Sequence, residues 1–221
     1  MAKIGIALDG ILRDTISQLA YVHNKYIAQI SQLRIEEGQD SNGKITEIDL
    51  EKTPFTDYSK IHEFFNFESV DAMNSFLYNK AALEVFGHAD QTLNNIIIQF
   101  NQFLMDMEDD GEHEIILVSR EAIRSIPATY YFLSKTGCKA KHIRFYTKFE
   151  DKWNDVDVLI TANPRTLANK PTNKVAVKVK TTYNESTNAD FTIDSLMDFI
   201  NDADLRKKVT TFEITNYEEI K

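Results

Sequence analysis

Apolar and polar positions divide this chain into two kinds of segment, short apolar runs and longer stretches with helical spacing. The short runs, which are typical of buried strands, are residues 3–8, 114–118, 142–146, 156–160 and 174–179. Helical spacing is found at residues 16–33, 93–107, 125–137 and 193–201. Because the two kinds alternate in the second half of the chain, the pattern predicts an α/β fold with a mainly parallel sheet.

The segment between the first two predicted strands has a different composition. Aromatic residues are dense there, and a turn is predicted at residues 38–43 because glycines stand at both ends. We therefore expect residues 16–91 to form a helical insertion with its own aromatic cluster. The core then comprises residues 1–15 and 92–202, with an acidic turn from residue 106 to 114. Residues 203–221 are expected to be a weakly patterned C-terminal tail.

Candidate functional residues follow the predicted strands, because the crevice of an open parallel sheet lies outside the carboxyl ends of its strands. Asp9-Gly10 follows the first run and Ser119 the second. Lys148 and Lys152 follow the third, and Thr161-Ala162-Asn163 ends the fourth. Sequence spacing weakly favours Lys152 over Lys148.

These strand-end segments, taken in order, resemble the motifs of the haloacid dehalogenase-like (HAD) superfamily, and most closely its 5'(3')-deoxyribonucleotidase branch. The segments are Asp9-Gly-Ile-Leu-Arg-Asp-Thr15, Ile-Leu-Val-Ser119, Tyr146-Thr-Lys-Phe-Glu-Asp-Lys152 and Asp157-Val-Leu-Ile-Thr-Ala-Asn-Pro164. The resemblance covers residues 3 to about 165. It implies a Rossmannoid three-layer α/β sandwich with a mainly parallel sheet and a helical cap inserted after the first strand.

The resemblance also implies a role for each candidate. Asp9 falls at the general acid/base position, Ser119 at the position that holds the phosphoryl group, and Lys152 or Lys148 at the lysine position. The family's nucleophilic aspartate is replaced by Ala7, and its acidic magnesium-binding pair by Thr161 and Ala162. A methyl group cannot attack phosphorus, and a hard cation needs carboxylate oxygens. We therefore expect vestigial catalytic residues, no magnesium site and no other cofactor.

The leading hypothesis from sequence is a pseudoenzyme that acts as a structural or protein-interaction component. The chain is rich in Ile, Lys and Asn, and nucleotidase-like genes of this branch are common in tailed phages, which suggests a phage virion or its assembly. Two alternatives stay open. One is a weak magnesium-dependent deoxynucleotidase or phosphatase, and the other is a non-catalytic sensor of a nucleotide or phosphate.

Charge and composition narrow the partners. The 221 residues include 25 basic and 34 acidic side chains, a net charge of −9, which disfavours nucleic acid and anionic membranes. Cys138 is the only cysteine, so no internal disulfide can form. We find no apolar stretch long enough to span a membrane and no signal peptide. We expect protein partners, either further copies of the chain or a larger assembly, in the cytoplasm of the source or host cell or in a virion.

Overall fold

The computed structural model describes residues 2–36, 47–111, 113–122 and 124–212, and the turn expected at residues 38–43 lies outside this range. The strands are β1 (Ala2–Ala7), β2 (His113–Arg120), β3 (Ile143–Tyr146), β4 (Val158–Thr161), β5 (Val175–Val179) and β6 (Phe191–Ile193). The α-helices are α1 (Thr15–Glu36), α2 (Ile61–Phe64), α3 (Val70–Ser75), α4 (Ile96–Asp110), α5 (Ile126–Thr136), α6 (Pro164–Ala168), α7 (Leu196–Asn201) and α8 (Ala203–Thr210). Short 3₁₀-helices cover Tyr58–Lys60 and Glu150–Trp153, and π-helical turns cover Phe76–Lys80 and Leu83–Gly87.

The six strands form one parallel sheet in the order β3-β2-β1-β4-β5-β6. Every residue of β4 and β5 is buried, so both faces of the sheet are covered. Strands buried on both faces explain why the sequence shows continuous apolar runs rather than alternation. The predicted α/β sandwich with an inserted helical cap after the first strand is confirmed.

Several elements differ from the sequence expectation, among them helix α6, which the pattern does not predict. Strand β6 was not predicted, because three residues are too few to show a pattern. Helix α4 continues to Asp110, so most of the expected acidic turn is helical, and Gly111 caps it at a φ of 62°. The expected tail begins with α8, whose Asp202 side chain caps the Leu205 amide and whose Val209 is fully buried. A short helix that buries so few apolar residues gives only a weak periodic signal.

The cap has its own hydrophobic cluster, separate from the cluster around the sheet. Eight aromatic residues lie between residues 35 and 91, and five of them are buried in this cluster, namely Phe55, Phe65, Phe67, Phe76 and Phe86. Tyr58, Phe64 and Tyr78 are only partly buried beside it. The aromatic density of this segment is therefore mainly packing, with Tyr58 and Tyr78 available to other contacts.

The chain enters and leaves the cap through two neighbouring segments. The Asp14 amide donates to the Asp90 carbonyl at 2.9 Å, and the Thr92 amide donates to the Leu12 carbonyl at 3.2 Å. These bonds hold the cap over the carboxyl ends of β1, β2 and β4. Among the described helices, none combines the length and the apolar character that crossing a membrane requires.

Candidate functional site

The loop after β1 folds back on itself and places two charged side chains at the sheet edge. The Leu12 and Arg13 amides both donate to the Leu8 carbonyl, and the Gly10 amide donates to the Arg13 carbonyl. Gly10 has a φ of 76°, and a Cβ there would lie 3.2 Å from the Ala162 Cβ. Glycine is needed at this turn because other residues rarely adopt this conformation. The turn brings Arg13 back beside Asp9.

Arg13 is fully buried and hydrogen-bonded across the site. Its Nη2 donates to Asp9 Oδ1 at 2.7 Å and to Glu121 Oε1 at 2.9 Å. Its Nη1 donates to Thr129 Oγ1 at 2.7 Å and to the Phe86 carbonyl, in the cap, at 3.4 Å. The guanidinium carbon also lies 4.9 Å from the centre of the Phe86 ring. One arginine side chain thus pairs with two carboxylates and contacts the cap.

The Asp9 carboxylate has donors on both oxygens. Oδ1 accepts from Arg13 Nε at 2.9 Å, from Arg13 Nη2 and from the Thr15 hydroxyl, and Oδ2 lies 3.3 Å from the Ser119 hydroxyl. Burial alone would raise the pKa of Asp9, but the neighbouring Arg13, Thr15 and Lys152 hold it below its usual value. Asp9 is therefore an ionised acceptor whose oxygens are already used.

Glu121 completes the polar cluster from the loop after β2. Its side chain is fully buried and accepts from Ser119 at 3.0 Å, from Thr129 at 2.6 Å and from Ser125. The single hydroxyl hydrogen of Ser119 is shared between Glu121 and Asp9. The expected phosphoryl-holding serine is thus engaged by carboxylates of the chain itself.

Lys152 faces the same site from the 3₁₀-helix Glu150–Trp153. The adjacent Trp153 is buried and its Nε1 donates to the Thr166 carbonyl at 2.9 Å, which anchors the helix. Lys152 is only 2% exposed, and within the described residues its ammonium has no hydrogen bond. Burial lowers the pKa of Lys152 to about 8, although Asp9 and Glu121 oppose this shift. Lys148, the alternative candidate, is exposed and does not line the site.

The other positions named from the sequence carry no carboxylate. Ala7 ends β1 and is 1% exposed, beside Val118 of β2. Thr161 Oγ1 accepts from the Asn163 amide at 3.1 Å, and the Ala162 carbonyl accepts from Asn184 Nδ2 at 2.8 Å. These groups are therefore used in holding the loop after β4.

A magnesium ion does not fit the side chains at this edge. Within the described part of the chain, no group of three or more His, Cys, Asp or Glu residues is placed to hold a metal. The two carboxylates that are present, Asp9 and Glu121, are both bonded to the Arg13 guanidinium. A hard divalent cation requires several available oxygen ligands, and a resident guanidinium would repel it.

A small cavity of about 80 Å³ lies between this edge and the cap. Its polar lining includes Asp9, Arg120, Lys152 and Asn163, and its aromatic lining includes Tyr58, Tyr78, Phe149 and Tyr183. Arg120 Nη1 donates to the Tyr78 hydroxyl at 2.7 Å, and Arg120 Nε donates to the Thr147 carbonyl at 3.0 Å. The rings of Tyr58 and Tyr183 lie 5.7 Å apart. Cap tyrosines thus meet core cations across the cavity.

The structure brings Asp9, Ser119 and Lys152 to one edge of the sheet and adds residues that sequence reasoning missed. The missed residues are Arg13, Arg120, Glu121 and Tyr183. Arg13 did carry a signal, since it is the single basic residue in the segment between the first strand and the cap helix. Its pairing with Glu121, 108 positions away, had no local signal.

Comparison with known proteins gives likeness at the level of structure. No protein-family model matches the chain, and no curated protein matches it significantly. Among solved structures, it is similar to a haloacid dehalogenase-like family hydrolase from Xanthomonas campestris, with 9% identity, a TM-score of 0.49, and coverage of 95% of this chain and 96% of that one. It is also similar to β-phosphoglucomutase from Clostridium difficile, with 14% identity, a TM-score of 0.48, and coverage of 94% of this chain and 96% of that one. A third similar structure is L-2-haloacid dehalogenase from Xanthobacter autotrophicus, with 11% identity, a TM-score of 0.48, and coverage of 96% of this chain and 100% of that one.

Identities and scores this low carry no information on activity or on a particular branch. The chain's own architecture provides the assignment of fold class. Its sheet has β1 between β2 and β4, its cap is inserted after β1, and Asp9, Ser119 and Lys152 meet at the strand ends. The chain therefore has an α/β fold of the haloacid dehalogenase-like kind.

Proposed function

We propose that this chain is a HAD-like pseudoenzyme that acts as a structural or protein-interaction component. The observation that carries the proposal is the buried Arg13 guanidinium, which bonds to both Asp9 and Glu121 at the edge where this fold places its chemistry. The side chain supplies the positive charge that the carboxylates need. It is itself held by Thr129 and by the Phe86 carbonyl.

The chemical reason is that phosphoryl transfer to an aspartate needs a nucleophile and an accessible cation together. Ala7 provides a methyl group at the nucleophile position of the resembling family. The N–H donors of Arg13 are already used within the chain, so Arg13 cannot bind substrate oxygens as a metal ion does. The Asp9 carboxylate, whose oxygens already accept from Arg13, Thr15 and Ser119, is likewise not free to hold a metal ion.

The cavity argues against the deoxynucleotidase alternative in this closed arrangement. Its volume is about 80 Å³, whereas pockets for ligands of roughly nucleotide size measure about 300 Å³ or more. Tyr58 and Tyr183 occupy the space above the strand ends. A nucleotide would require the cap to move away from the core.

An exposed apolar patch supports the protein-interaction part of the proposal. Leu83 is 50% exposed and Tyr131 43%, and both side chains lie against Gly87, with Tyr131 also packed against His88. Neighbouring exposed aromatic and aliphatic side chains are favoured at protein contacts. The narrower hypothesis of a tailed-phage virion or assembly component rests on the sequence resemblance alone.

Activity assays on the purified full chain test the catalytic half of the proposal. A generic phosphomonoester and the deoxynucleoside monophosphates, each with magnesium, should give no turnover above a no-enzyme blank. Metal-dependent turnover that Asp9→Asn abolishes would overturn the proposal.

Sedimentation and co-purification test the structural half. We expect either self-association across the micromolar range or co-purification with a large assembly. A chain that stays monomeric and co-purifies with no other protein of the source cell would contradict the structural role. It would not affect the proposal that the chain is catalytically inactive.

A further inference from the structure

A groove of about 660 Å³ lies at the base of the cap, where the chain enters and leaves it. One wall is formed by Asp14 and the first half of helix α1, and the other by residues 84–90. Among the described residues, none that lines this groove also lines the cavity at the strand ends. The groove is therefore a separate surface of the cap.

The two walls of the groove are bonded to each other. Gln18 Nε2 donates to the Glu84 carbonyl at 2.8 Å, and the Glu84 carboxylate pairs with the Lys25 ammonium. The Asp14 amide donates to the Asp90 carbonyl at 2.9 Å. A ligand would thus meet a groove that is already formed, which lowers the ordering cost of binding.

Carboxylates outnumber ammonium groups in the lining of the groove. Asp14, Glu84 and Asp90 contribute carboxylates, and Lys25, the lysine of the lining, already pairs with Glu84. Within the described part of the chain, Asp14 and Asp90 have no ion-pair partner. Lys135 lies near this wall, but its ammonium donates to a backbone carbonyl and it does not line the groove. Two neighbouring carboxylates are therefore left without a counter-charge.

Aromatic and aliphatic side chains border these carboxylates. Tyr21 lines the groove and is 66% exposed. The ring of His88, which also lines the groove, lies 5.2 Å from the ring of Tyr131. The exposed patch of Leu83 and Tyr131 is thus continuous with the groove. Tyrosine faces attract guanidinium and ammonium groups, so the rings and the carboxylates favour the same kind of ligand.

We propose that this groove binds a segment of a partner protein in which arginine or lysine side chains are flanked by large apolar ones. The basic side chains pair with Asp14 and Asp90, and the apolar ones cover Tyr21, Leu83 and Tyr131. The inference rests on the proposed interaction role and specifies the chemistry of the partner.

Charge complementarity selects this occupant over two others. An apolar segment without basic residues would cover the two carboxylates and leave them without a counter-charge, which is costly. A second copy of the chain would bring the same net charge of −9. A basic segment is instead attracted by the field of the whole chain, which raises its rate of association.

Three synthetic peptides of equal length test the groove by fluorescence anisotropy at about pH 8, where histidine is neutral. The first alternates leucine and arginine at helical spacing, the second has glutamate for arginine, and the third has serine for leucine. The leucine–arginine peptide should bind the full-length chain saturably and about tenfold or more tightly than the other two. Raising the salt concentration to about 0.5 M should weaken this binding.

Paired variants separate the groove from the charge of the whole chain. Asp14→Asn with Asp90→Asn should weaken binding of the leucine–arginine peptide about fivefold, as expected for two partly exposed ion pairs. Asparagine can still accept from the Ser17 amide at the start of α1. Asp106→Asn with Asp204→Asn removes the same two charges at exposed positions of α4 and α8 and should bind as the wild type does.

A further variant tests the aromatic border and does not depend on the acidic pair. Tyr131→Ser should weaken binding of the same peptide several-fold, because a ring that covers the apolar side chains is lost. Ile98→Ser, on the exposed side of α4, should leave the affinity unchanged.

Three results would overturn the proposal. One is absence of saturable binding of the leucine–arginine peptide to the wild type. The second is an equal loss of affinity in the two paired variants, which would show a general charge effect. The third is self-association that Asp14→Asn with Asp90→Asn abolishes, which would assign the groove to a second copy. Sedimentation and co-purification of the wild type are measured separately, so failure of the basic partner and failure of the interaction role are distinguishable.

Discussion

Two buried cations lie at the same sheet edge, and their surroundings are opposite. Arg13 is bonded to two carboxylates, a hydroxyl and a carbonyl, and its guanidinium lies against the rings of Phe86 and Phe132. Lys152 has no hydrogen bond within the described residues and borders a cavity. Arg13 is thus a fully bonded cation of the interior, whereas the charge of Lys152 is only partly offset by Asp9 and Glu121. The comparison separates a fully compensated cation from a partly compensated one at the same sheet edge.

The largest effect is expected where the satisfied cation is removed. Arg13→Met leaves the fully buried Glu121 carboxylate and the adjacent Asp9 without their partner. Breaking a buried ion pair from one side costs about 3–5 kcal/mol, and urea unfolding should show a loss of this order. Arg144→Met, on the exposed side chain of β3, should change stability by less than about 0.5 kcal/mol.

Adding Glu121→Gln to Arg13→Met should recover part of that loss, because the uncompensated charge is gone. A loss in the single variant no larger than that of Arg144→Met would show that the Arg13 cluster is not a stabilising unit.

The unsatisfied cation should instead make stability rise with pH. The pKa of Lys152 is about 8 in the folded chain and 10.5 by its ordinary value. Between these values the unfolded chain holds a proton that the folded chain has released, so the free energy of unfolding increases with pH. Up to pH 10 the gain is about 2–3 kcal/mol at roughly 1.4 kcal/mol per unit.

Urea unfolding in chloride buffers from pH 7 to 10 measures this gain, and Lys152→Met should lack it. Above about pH 10 the trend should reverse, because burial raises the pKa values of Tyr58, Tyr78 and Tyr183 and the unfolded chain loses those protons first. A wild-type profile as flat as that of the variant would contradict the assignment of Lys152 as an uncompensated cation.

A smaller effect is expected from returning acids to the strand ends. Ala7→Asp with Thr161→Asp restores the carboxylates that the resembling family has there. Since Arg13 remains bonded to Asp9, the double variant should bind magnesium weakly. Adding Arg13→Met should strengthen magnesium binding about tenfold or more by calorimetry, because a cation is removed and Asp9 oxygens become available.

The wild type and Arg13→Met alone are the references for this series. Equal magnesium affinity in the double and triple variants would show that Arg13 does not control access to this edge. No binding in any of them would count against the alignment of Ala7 and Thr161 with the acidic positions.

The smallest effect on stability is expected at the exposed patch. Tyr131→Ser should change the free energy of unfolding by about 0.5 kcal/mol or less and yet weaken association, which sedimentation measures. Ile98→Ser, at a side chain of helix α4 that is 62% exposed, is the control on an element that does not carry the patch. Equal association of both variants would exclude the patch from the interface.

The sequence was informative wherever the relevant signal is local. Strands buried on both faces leave apolar runs, and residues at strand ends can be read directly, so Asp9, Ser119 and Lys152 were found and do meet. The pairing of Arg13 with Glu121 could not be predicted. The two residues follow different strands, and a contact between such segments has no characteristic spacing in the sequence. Burial likewise separated the two lysines, because Lys152 lies in the 3₁₀-helix Glu150–Trp153 and is buried, whereas Lys148 precedes that helix and is exposed.

The paired segments that enter and leave the cap have a consequence for how this architecture can vary. The Asp14 amide and the Asp90 carbonyl are joined by a hydrogen bond of 2.9 Å. The two ends of the cap therefore lie as close together as the two ends of a tight turn. Insertions with adjacent ends leave the host domain's topology unchanged. Related proteins could carry a different cap, or only a hairpin in its place, while the strands of the sheet kept their register. The cap is thus a replaceable module. A replacement cap would have to provide a new acceptor for Arg13 in place of the Phe86 carbonyl.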